Sequence, residues 1–411
     1  MKDFRLGKVV SIIVLSGILC TSGFSEGDGD AQKKPASANK LDEKIAKDAK
    51  DSVQKAVNFF TDKQKPDGSW CEHPGITGLV CMALQGSGTT ENIGIRKDSL
   101  AKGRKYILYF VQKDGSIWMS GKEREYPIYT TSICLATLAV LGNPADEEVM
   151  RNARKFLLGS QLTPDNKENP TPEDSDLYGG FSYGTKGPVH ADLSNTQWAL
   201  EAIYLTDYLD REPKSKNPED AKKADLAWKN ALKFISKLQN LPESNDEAWV
   251  IKDPNDPQRG GFVYVSPDLM GPGKDGEKQT LRTYGSMTYA GLKSMIYAKV
   301  DKNDSRVKAA IEWAKKNYTL DENPGMGDGG LYYYLQTLAK AHSIFAEDKV
   351  VTPDGKEHFW RADLIKKLIS LQKPDGSWNN ENGRWMESIP ELVTSYALLA
   401  MESALNTDSK K

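Results

Sequence analysis

One seven-residue string, QKPDGSW, occurs twice in this chain, at residues 64–70 and again at residues 372–378. A looser copy, QKDGSIW, spans residues 112–118. Three weaker copies keep a glycine pair followed by a large apolar residue, at 179–181, 260–262 and 329–331. Repetition of this kind indicates one supersecondary unit used several times in a repeat architecture. The sequence therefore predicts six related units.

Each copy lies between two kinds of helical pattern. The segment before it is amphipathic, as at 99–112, and the segment after it is apolar nearly all round, as at 130–142. An amphipathic helix has one wet face, whereas a helix that is apolar on every side is buried. Outer helices are predicted at 43–64, 97–113, 147–161, 220–240, 304–318 and 359–373. Inner helices are predicted at 75–86, 128–141, 193–207, 284–299, 329–345 and 389–404.

The first and last units match each other best, and neither carries the polar cap that protects the end of an open repeat array. Closure of the array into a ring would bury both ends. The predicted fold is therefore an all-α (α/α)6 toroid with six inner and six outer helices. It forms one domain over residues 43–405, followed by a short tail at 406–411.

The repeated string is typical of a structural clamp between helices. Its glycine permits a sharp turn out of the outer helix, and the aspartate before it favours turn geometry. Its tryptophan brings a large apolar surface to the neighbouring helices. Its glutamine can hydrogen-bond the backbone groups left unpaired at helix ends. These residues are predicted to hold the fold together and to take no part in chemistry.

The first 24 residues resemble a signal peptide. Lys2, Arg5 and Lys8 precede an uncharged apolar run at 9–19, which is too short for a permanent membrane span. Residues 25–42 are small or charged and predict a flexible linker. The expected location is periplasmic or extracellular, with a lipid anchor at Cys20 as an alternative, and membrane contact is expected only through these segments.

Composition limits the partners. The 411 residues are 38% hydrophobic and 27% charged, with a formal net charge of −2 and no basic cluster. Binding to nucleic acid needs a clustered basic face, so no nucleic acid is expected. The expected partner is a hydrophobic small molecule or another protein, and the chain is expected to be a monomer. Cys81 and Cys134 lie in apolar runs and predict small core residues, while pairing of Cys71 stays open.

The spacing Phe60-x3-Gln64-x3-Gly68-x-Trp70 resembles the QW motif of squalene-hopene cyclases. Protein prenyltransferase β subunits share the toroid. The resemblance covers residues 43–405, and it implies the α/α toroid together with a terpenoid ligand or substrate.

Triterpene cyclases protonate an alkene with an Asp-x-Asp-Asp motif at the start of an inner helix. The matching stretch here keeps Asp192 but has Ser194 and Asn195 in place of the other two acids. A serine hydroxyl cannot protonate an alkene. Asp192 could form an acid–base pair with His190, or it could cap the helix that it precedes.

Prenyltransferases hold zinc with an Asp-x-Cys motif and a later histidine. Tyr284, Ser286 and Gln336 stand at the matching positions, and they are poor zinc ligands. Cys71 and His73 are too few for a metal site. No metal and no cofactor are therefore predicted.

In a toroid the inner helices run parallel, so their positive N-termini gather at one mouth and favour an anion. Asp192 and His190 are the candidate catalytic residues at this mouth. The candidate ligand-binding residues are His73, Tyr129, Asn195, Arg282, Tyr284, Tyr333, Gln336, Trp385 and Glu387.

Three functions remain open. The first is an exported toroid that lacks the catalytic acid and zinc motifs and binds a hydrophobic, isoprenoid-like ligand or a protein. The second is an active terpenoid cyclase or prenyltransferase relative. The third is a carbohydrate-active α/α barrel, in which Asp192 and Glu387 would serve as the two carboxylates.

Overall fold

Two concentric layers of helices make up the protein. The computed structural model describes residues 41–88, 93–121, 126–185, 189–267, 282–345 and 348–406. The outer helices are α1 (Glu43–Lys63), α3 (Ile93–Tyr109), α5 (Glu147–Ser160), α7 (Pro218–Lys237), α9 (Ser305–Lys316) and α11 (Trp360–Leu371). The inner helices are α2 (Pro74–Gly86), α4 (Pro127–Leu141), α6 (Leu193–Leu205), α8 (Gly285–Tyr297), α10 (Leu331–Phe345) and α12 (Pro390–Leu405). All twelve predicted helices are confirmed, with ends that differ by up to four residues.

The layers follow from the two kinds of sequence pattern. Helix α6 is buried at every residue from Leu193 to Ile203, as expected for a helix that is apolar on most sides. Helix α5 instead buries a stripe that includes Met150, Ala153 and Leu157. Each inner helix packs against the next one, and α12 packs against α2. The predicted (α/α)6 toroid is therefore confirmed, including its closure.

The repeated glutamines clamp neighbouring outer helices together. Gln64 Nε2 donates to the Gly68 carbonyl at 3.0 Å and to the Ser99 carbonyl in α3 at 2.9 Å. Gln372 donates in the same way to Gly376 and, at 2.9 Å, to Ser52 in α1. The last turn therefore holds the first helix, which closes the ring.

Two further copies of this clamp are hidden in the sequence. Gln161 donates to the carbonyls of Gly179 and Ala227, with the glycine 18 positions after the glutamine. Gln239 donates to the carbonyls of Gly260 and Arg306, with the glycine 21 positions further on. Insertions inside these turns conceal the short spacing of the motif. Gln112 departs from the pattern, because it bonds the carbonyls of Phe110 and Trp118 within its own turn.

The turn glycines cannot be replaced without strain. Gly376 has φ +88, and a Cβ there would lie 2.3 Å from the Lys55 carbonyl oxygen of α1. Left-handed backbone of this kind favours glycine. Gly330, in the turn after α9, instead faces the ring of Trp385. This turn replaces the contact with an outer helix by a contact with an aromatic side chain.

A short antiparallel hairpin lies between α10 and α11, with β1 (Val350–Val351) paired to β2 (Glu357–His358). Its strands of two residues are too short for sequence periodicity to reveal. Cys81 and Cys134 are buried and free, as expected of small core residues, and Cys71 is free and half-buried.

The predicted signal peptide, Cys20 and nearly all of the predicted linker lie outside the described residues, as does most of the predicted tail. Within the described ranges, none of the helices has both the length and the apolar character needed to cross a bilayer.

Candidate functional site

The inner helices share one direction and give the barrel two different ends. Tyr129, Ser194 and Tyr333 lie near the starts of α4, α6 and α10, and they meet each other and Tyr396, near the middle of α12. We call this the closed end. Residues from the middle to the end of α2, α4, α6, α10 and α12, together with the first half of α1, surround a common cavity. We call this the open end.

Three tyrosines meet inside the barrel at the closed end. The Tyr333 hydroxyl lies 3.2 Å from Ser194 Oγ and accepts a 3.0 Å hydrogen bond from Gln197 Nε2. The rings of Tyr333 and Tyr396 are 5.6 Å apart. Burial raises the pKa of Tyr129 to about 12, so its hydroxyl stays neutral. We refer to Tyr129, Tyr333 and Tyr396 as the tyrosine cluster.

Asp192 is the N-cap residue of α6. Its Oδ1 accepts from the Asn195 backbone N–H at 2.8 Å, and its Oδ2 accepts from Asn195 Nδ2 at 2.6 Å. Burial raises the pKa of Asp192 to about 7, although the bonds from Asn195 and Tyr264 oppose the rise. His190 is exposed, and among the described residues no hydrogen bond joins it to Asp192. The structure therefore shows the capping arrangement and does not bring the predicted acid–base pair together.

Glu387 also caps a helix, although it does not belong to that helix. It is fully buried, and its Oε1 accepts from the Tyr333 backbone N–H at 2.9 Å at the start of α10. Its Oε2 accepts from Asn380 Nδ2 at 2.8 Å. Burial raises the pKa of Glu387, and the bond from Asn380 opposes that rise. These bonds explain a buried carboxyl at this position without any ligand.

The remaining candidates at the closed end have local partners. His73 caps α2 by accepting the Gly75 N–H at Nδ1, and burial lowers its pKa, which keeps the imidazole neutral. Trp385 is 44% exposed and lies parallel to the Tyr284 ring, with centroids 6.4 Å apart. Arg282 is exposed and approaches the Met326 sulfur. No group of three His, Cys, Asp or Glu side chains within the described ranges could hold a metal ion.

The open end contains a cavity of about 1030 Å³. Its apolar wall includes Met82, Val140, Trp198, Leu205, Leu399 and Leu405. Its polar wall includes Glu201, Gln336, Lys340 and Glu402. Among the residues predicted from sequence, Gln336 lines this cavity, while the others lie at or near the closed end.

Two buried charges lie beside the cavity. Lys293 is 0% exposed, and its Nζ lies 2.7 Å from Glu201 Oε2. Lys340 lies 3.6 Å from Glu201 Oε1. Burial alone would raise the pKa of Glu201, but the two lysines lower it below its usual value, so the carboxylate is ionised. Lys293 Nζ also lies 5.4 Å from the centre of the Trp198 ring.

Four side chains in the wall have a buried polar atom without a partner among the described residues, namely Gln54, Trp198, Gln336 and Glu402. Gln336 is 5% exposed, and its Oε1 makes no hydrogen bond within the described part of the chain. The Glu402 carboxyl is likewise unbonded there, and burial raises its pKa far above the usual value. Buried polar groups in proteins are nearly always paired, so exceptions call for an explanation.

Most of the polar groups at the open end are absent from the sequence-based prediction, although the sequence carries a signal for them. Glu201 is the single charged residue in LSNTQWALEAIYL, and Lys293 is the single one in GSMTYAGLKSMIY. A charge inside a helix that is buried on all sides must be paired or functional. Applied to the sequence alone, this rule marks both residues.

Comparison with known proteins supports the resemblance to terpenoid cyclases at the level of fold. The chain is 23% identical over 307 residues to the squalene–hopene cyclase of Alicyclobacillus acidocaldarius. The match covers 71% of this chain but 42% of the cyclase, so it spans less than half of the length of that relative. No family model matches the sequence.

Solved structures of three enzymes with different activities share the fold. The type II terpene cyclase MstE from Scytonema, bound to merosterolic acid A, aligns with a TM-score of 0.52 at 13% identity, over 90% of this chain and 99% of its own. An inactive α-1,6-mannanase of a Salegentibacter species aligns with a TM-score of 0.55 at 10% identity, over 89% of this chain and 100% of its own. A D-mannose isomerase aligns with a TM-score of 0.55 at 12% identity, over 90% of this chain and 100% of its own. At these identities the likeness establishes the α/α toroid alone.

Proposed function

We propose that this chain is an exported, monomeric toroid that binds a small molecule in the cavity at its open end. The observation that carries the proposal is the cavity of about 1030 Å³ with unbonded polar atoms in its wall, among them Gln336 Oε1 and Glu402 Oε1. Ligand pockets are concave, mostly apolar and furnished with a few polar groups. The cavity has this composition. Export rests on the signal-like pattern of residues 1–24.

The acid that protonates the alkene in triterpene cyclases is missing from its position in this chain. Ser194 occupies the position of the alkene-protonating acid, and its hydroxyl contacts Tyr333. Asp192 directs both carboxyl oxygens to Asn195, as its role in capping requires. The zinc route lacks ligands too, since Ser286 lies within 3.2 Å of Asn323 Nδ2 and Tyr284 packs beside Trp385. A binding role therefore agrees better with the local chemistry than either reaction.

The proposal can be tested by identifying what the protein carries. The full chain would be purified under native conditions and then denatured, and its aqueous and organic extracts would be analysed by mass spectrometry. Leu399→Trp would place a large ring in the cavity, and Leu226→Trp offers a matched change on the exposed face of α7. We expect a molecule that co-purifies with the wild type and with Leu226→Trp but is lost from Leu399→Trp. Equal recovery from all three chains would contradict binding in the cavity.

One observation favours a second candidate, an acid-catalysed reaction on an isoprenoid. Asp192 has a pKa of about 7 because it is buried, and a carboxyl that keeps its proton near neutral pH can act as a general acid. The test is turnover of squalene and of prenyl diphosphates by the wild type and by Asp192→Asn. Turnover abolished by this substitution would replace the binding proposal with an enzymatic one.

A further inference from the structure

The polar wall of the cavity is assembled from three different inner helices and from the outer helix α1, which adds Glu43, Lys47, Lys50, Asp51 and Gln54. Gln336 and Lys340 lie one turn apart on α10, Glu201 comes from α6, and Glu402 comes from α12. Glu201 and Lys340 are paired with each other, and Glu201 is also paired with Lys293. Gln336 and Glu402 have no hydrogen-bond partner among the described residues. The cavity therefore combines an ion pair with polar atoms, among them those of Gln336 and Glu402, that have no partner among the described residues.

The hydrogen-bonding capacity of these two groups is mixed. A glutamine amide offers two donor hydrogens and an acceptor oxygen, and a protonated carboxyl offers one donor and an acceptor. Burial raises the pKa of the Glu402 carboxyl and so favours its protonated form, while the charges of Arg96 and Lys340 oppose the rise. An unpaired buried polar group costs free energy that a ligand with matching groups would recover. A hydrocarbon cannot supply those groups, whereas a hydroxyl both donates and accepts.

The charges around the cavity leave no excess of positive charge. The lining acids are Glu43, Asp51, Glu201 and Glu402, and the lining lysines are Lys47, Lys50 and Lys340. No unbalanced positive charge among these described lining residues is left to recognise a phosphate or a carboxylate. The rest of the wall includes Met82, Trp198 and Leu399, which can pack against C–H groups. These features favour a ligand that is neutral overall.

We infer that the cavity at the open end binds a neutral polyhydroxylated molecule of the saccharide or cyclitol class, with Gln336 and Glu402 bonding its hydroxyl groups. This inference rests on the proposed binding function and specifies its ligand. It assigns the recognition of the ligand to the open end of the barrel, where the inner helices finish. It leaves the tyrosine cluster and Asp192 with structural roles.

Calorimetric titration of the full chain would test the inference. The ligands would be a panel of neutral mono- to tetrasaccharides and cyclitols, together with squalene and geranylgeranyl diphosphate. We expect at least one neutral polyol to bind, and we expect Gln336→Leu to weaken that binding by about tenfold or more, because a hydrogen-bonding side chain is lost. The same substitution should leave thermal stability without ligand unchanged or higher, since it removes an unpaired polar group.

Ser343→Ala provides the matched control. Ser343 lines the same cavity on α10, but its hydroxyl already donates to the Lys340 carbonyl at 2.8 Å. Because that hydroxyl is already bonded, its removal should change polyol affinity by less than about threefold. If Gln336→Leu does not fold, Glu402→Met removes the other unbonded group and should weaken binding in the same way.

The outcomes separate this inference from the proposed function. Binding of squalene or of the diphosphate without any polyol would overturn the inference and keep the proposed cavity function. Polyol binding that survives both Gln336→Leu and Glu402→Met would place the polyol elsewhere and overturn the inference. Failure of every ligand to bind, together with no co-purified molecule, would overturn both.

Discussion

The two ends of the inner barrel satisfy their polar groups to different degrees. At the closed end, Asp192 and Glu387 accept backbone N–H groups from the first turns of α6 and α10. At the open end, Glu402 and Gln336 face a cavity with no partner among the described residues. Both ends contain buried carboxyl groups, and those of Asp192 and Glu387 are bonded to backbone, whereas Glu402 Oε1 at the open end has no partner among the described residues. Asn195 Oδ1 and Gln197 Oε1 at the closed end also lack a described partner.

The difference shows that a buried carboxyl in a toroid is not by itself a catalytic sign. The glycine turns that clamp the outer helices also lie where the inner helices begin, so polar groups at the closed end serve the architecture. Polar groups at the open end do not have this structural role. The capacity to bind a ligand is therefore expected where hydrogen bonds remain unused.

The largest expected effect concerns the buried ion pair at the open end. Lys293→Met would leave the Glu201 carboxylate buried with Lys340 at 3.6 Å, and breaking a buried pair costs about 3–5 kcal/mol. Chemical denaturation would measure the loss in the free energy of unfolding. Lys340→Met is the control and should cost less than about 1 kcal/mol, because this lysine is one-third exposed. Equal losses in the two variants would contradict the assignment of the main pair.

A smaller effect is expected from titration at the closed end. The folded state raises the pKa of Asp192 from 3.8 to about 7, so it holds a proton that the unfolded state releases. Stability should therefore fall as the pH rises from about 4 to about 7, by about 1 kcal/mol per pH unit at the steepest point. Asp192→Asn should remove this part of the profile. Parallel profiles for the two chains would show that Asp192 does not titrate in this range.

The smallest expected effect concerns a turn at the closed end. Gly376→Ala combines a φ of +88 with a Cβ 2.3 Å from the Lys55 carbonyl oxygen, and we expect a cost of about 2 kcal/mol. Gly355→Ala has a similar φ of +81 in the hairpin turn but no described atom within 4 Å, so about 1 kcal/mol is expected there. Thermal unfolding of both variants measures the difference. If Gly355→Ala proves the more harmful, the clamp has little importance.

The fold could be predicted from sequence because each repeat carries its own signals. The start of α6 at Leu193 follows directly from an N-cap aspartate before an apolar run. The clamps of Gln161 and Gln239 could not be found, since long insertions separate each glutamine from its glycine. A short motif reveals a contact only where the chain between its parts is short.

The candidate site was less accessible to prediction. Helix dipoles favour the closed end, but Tyr129, Tyr333 and Tyr396 meet across the barrel there, and contacts between distant helices cannot be read from helix periodicity. Gln336 matches a zinc-ligand position of the prenyltransferases and is predicted at the start of an inner helix, but it lines the cavity at the other end. Which end of a barrel stays hollow depends on how side chains from six helices meet across its axis.

The bond from Gln372 to Ser52 joins helices that are 320 residues apart in the chain. In an open solenoid the first and last repeats each have one neighbour and can fray separately. Here the first and last repeats are neighbours of each other, so every repeat has two. Any repeat that leaves the ring must therefore break two interfaces at once.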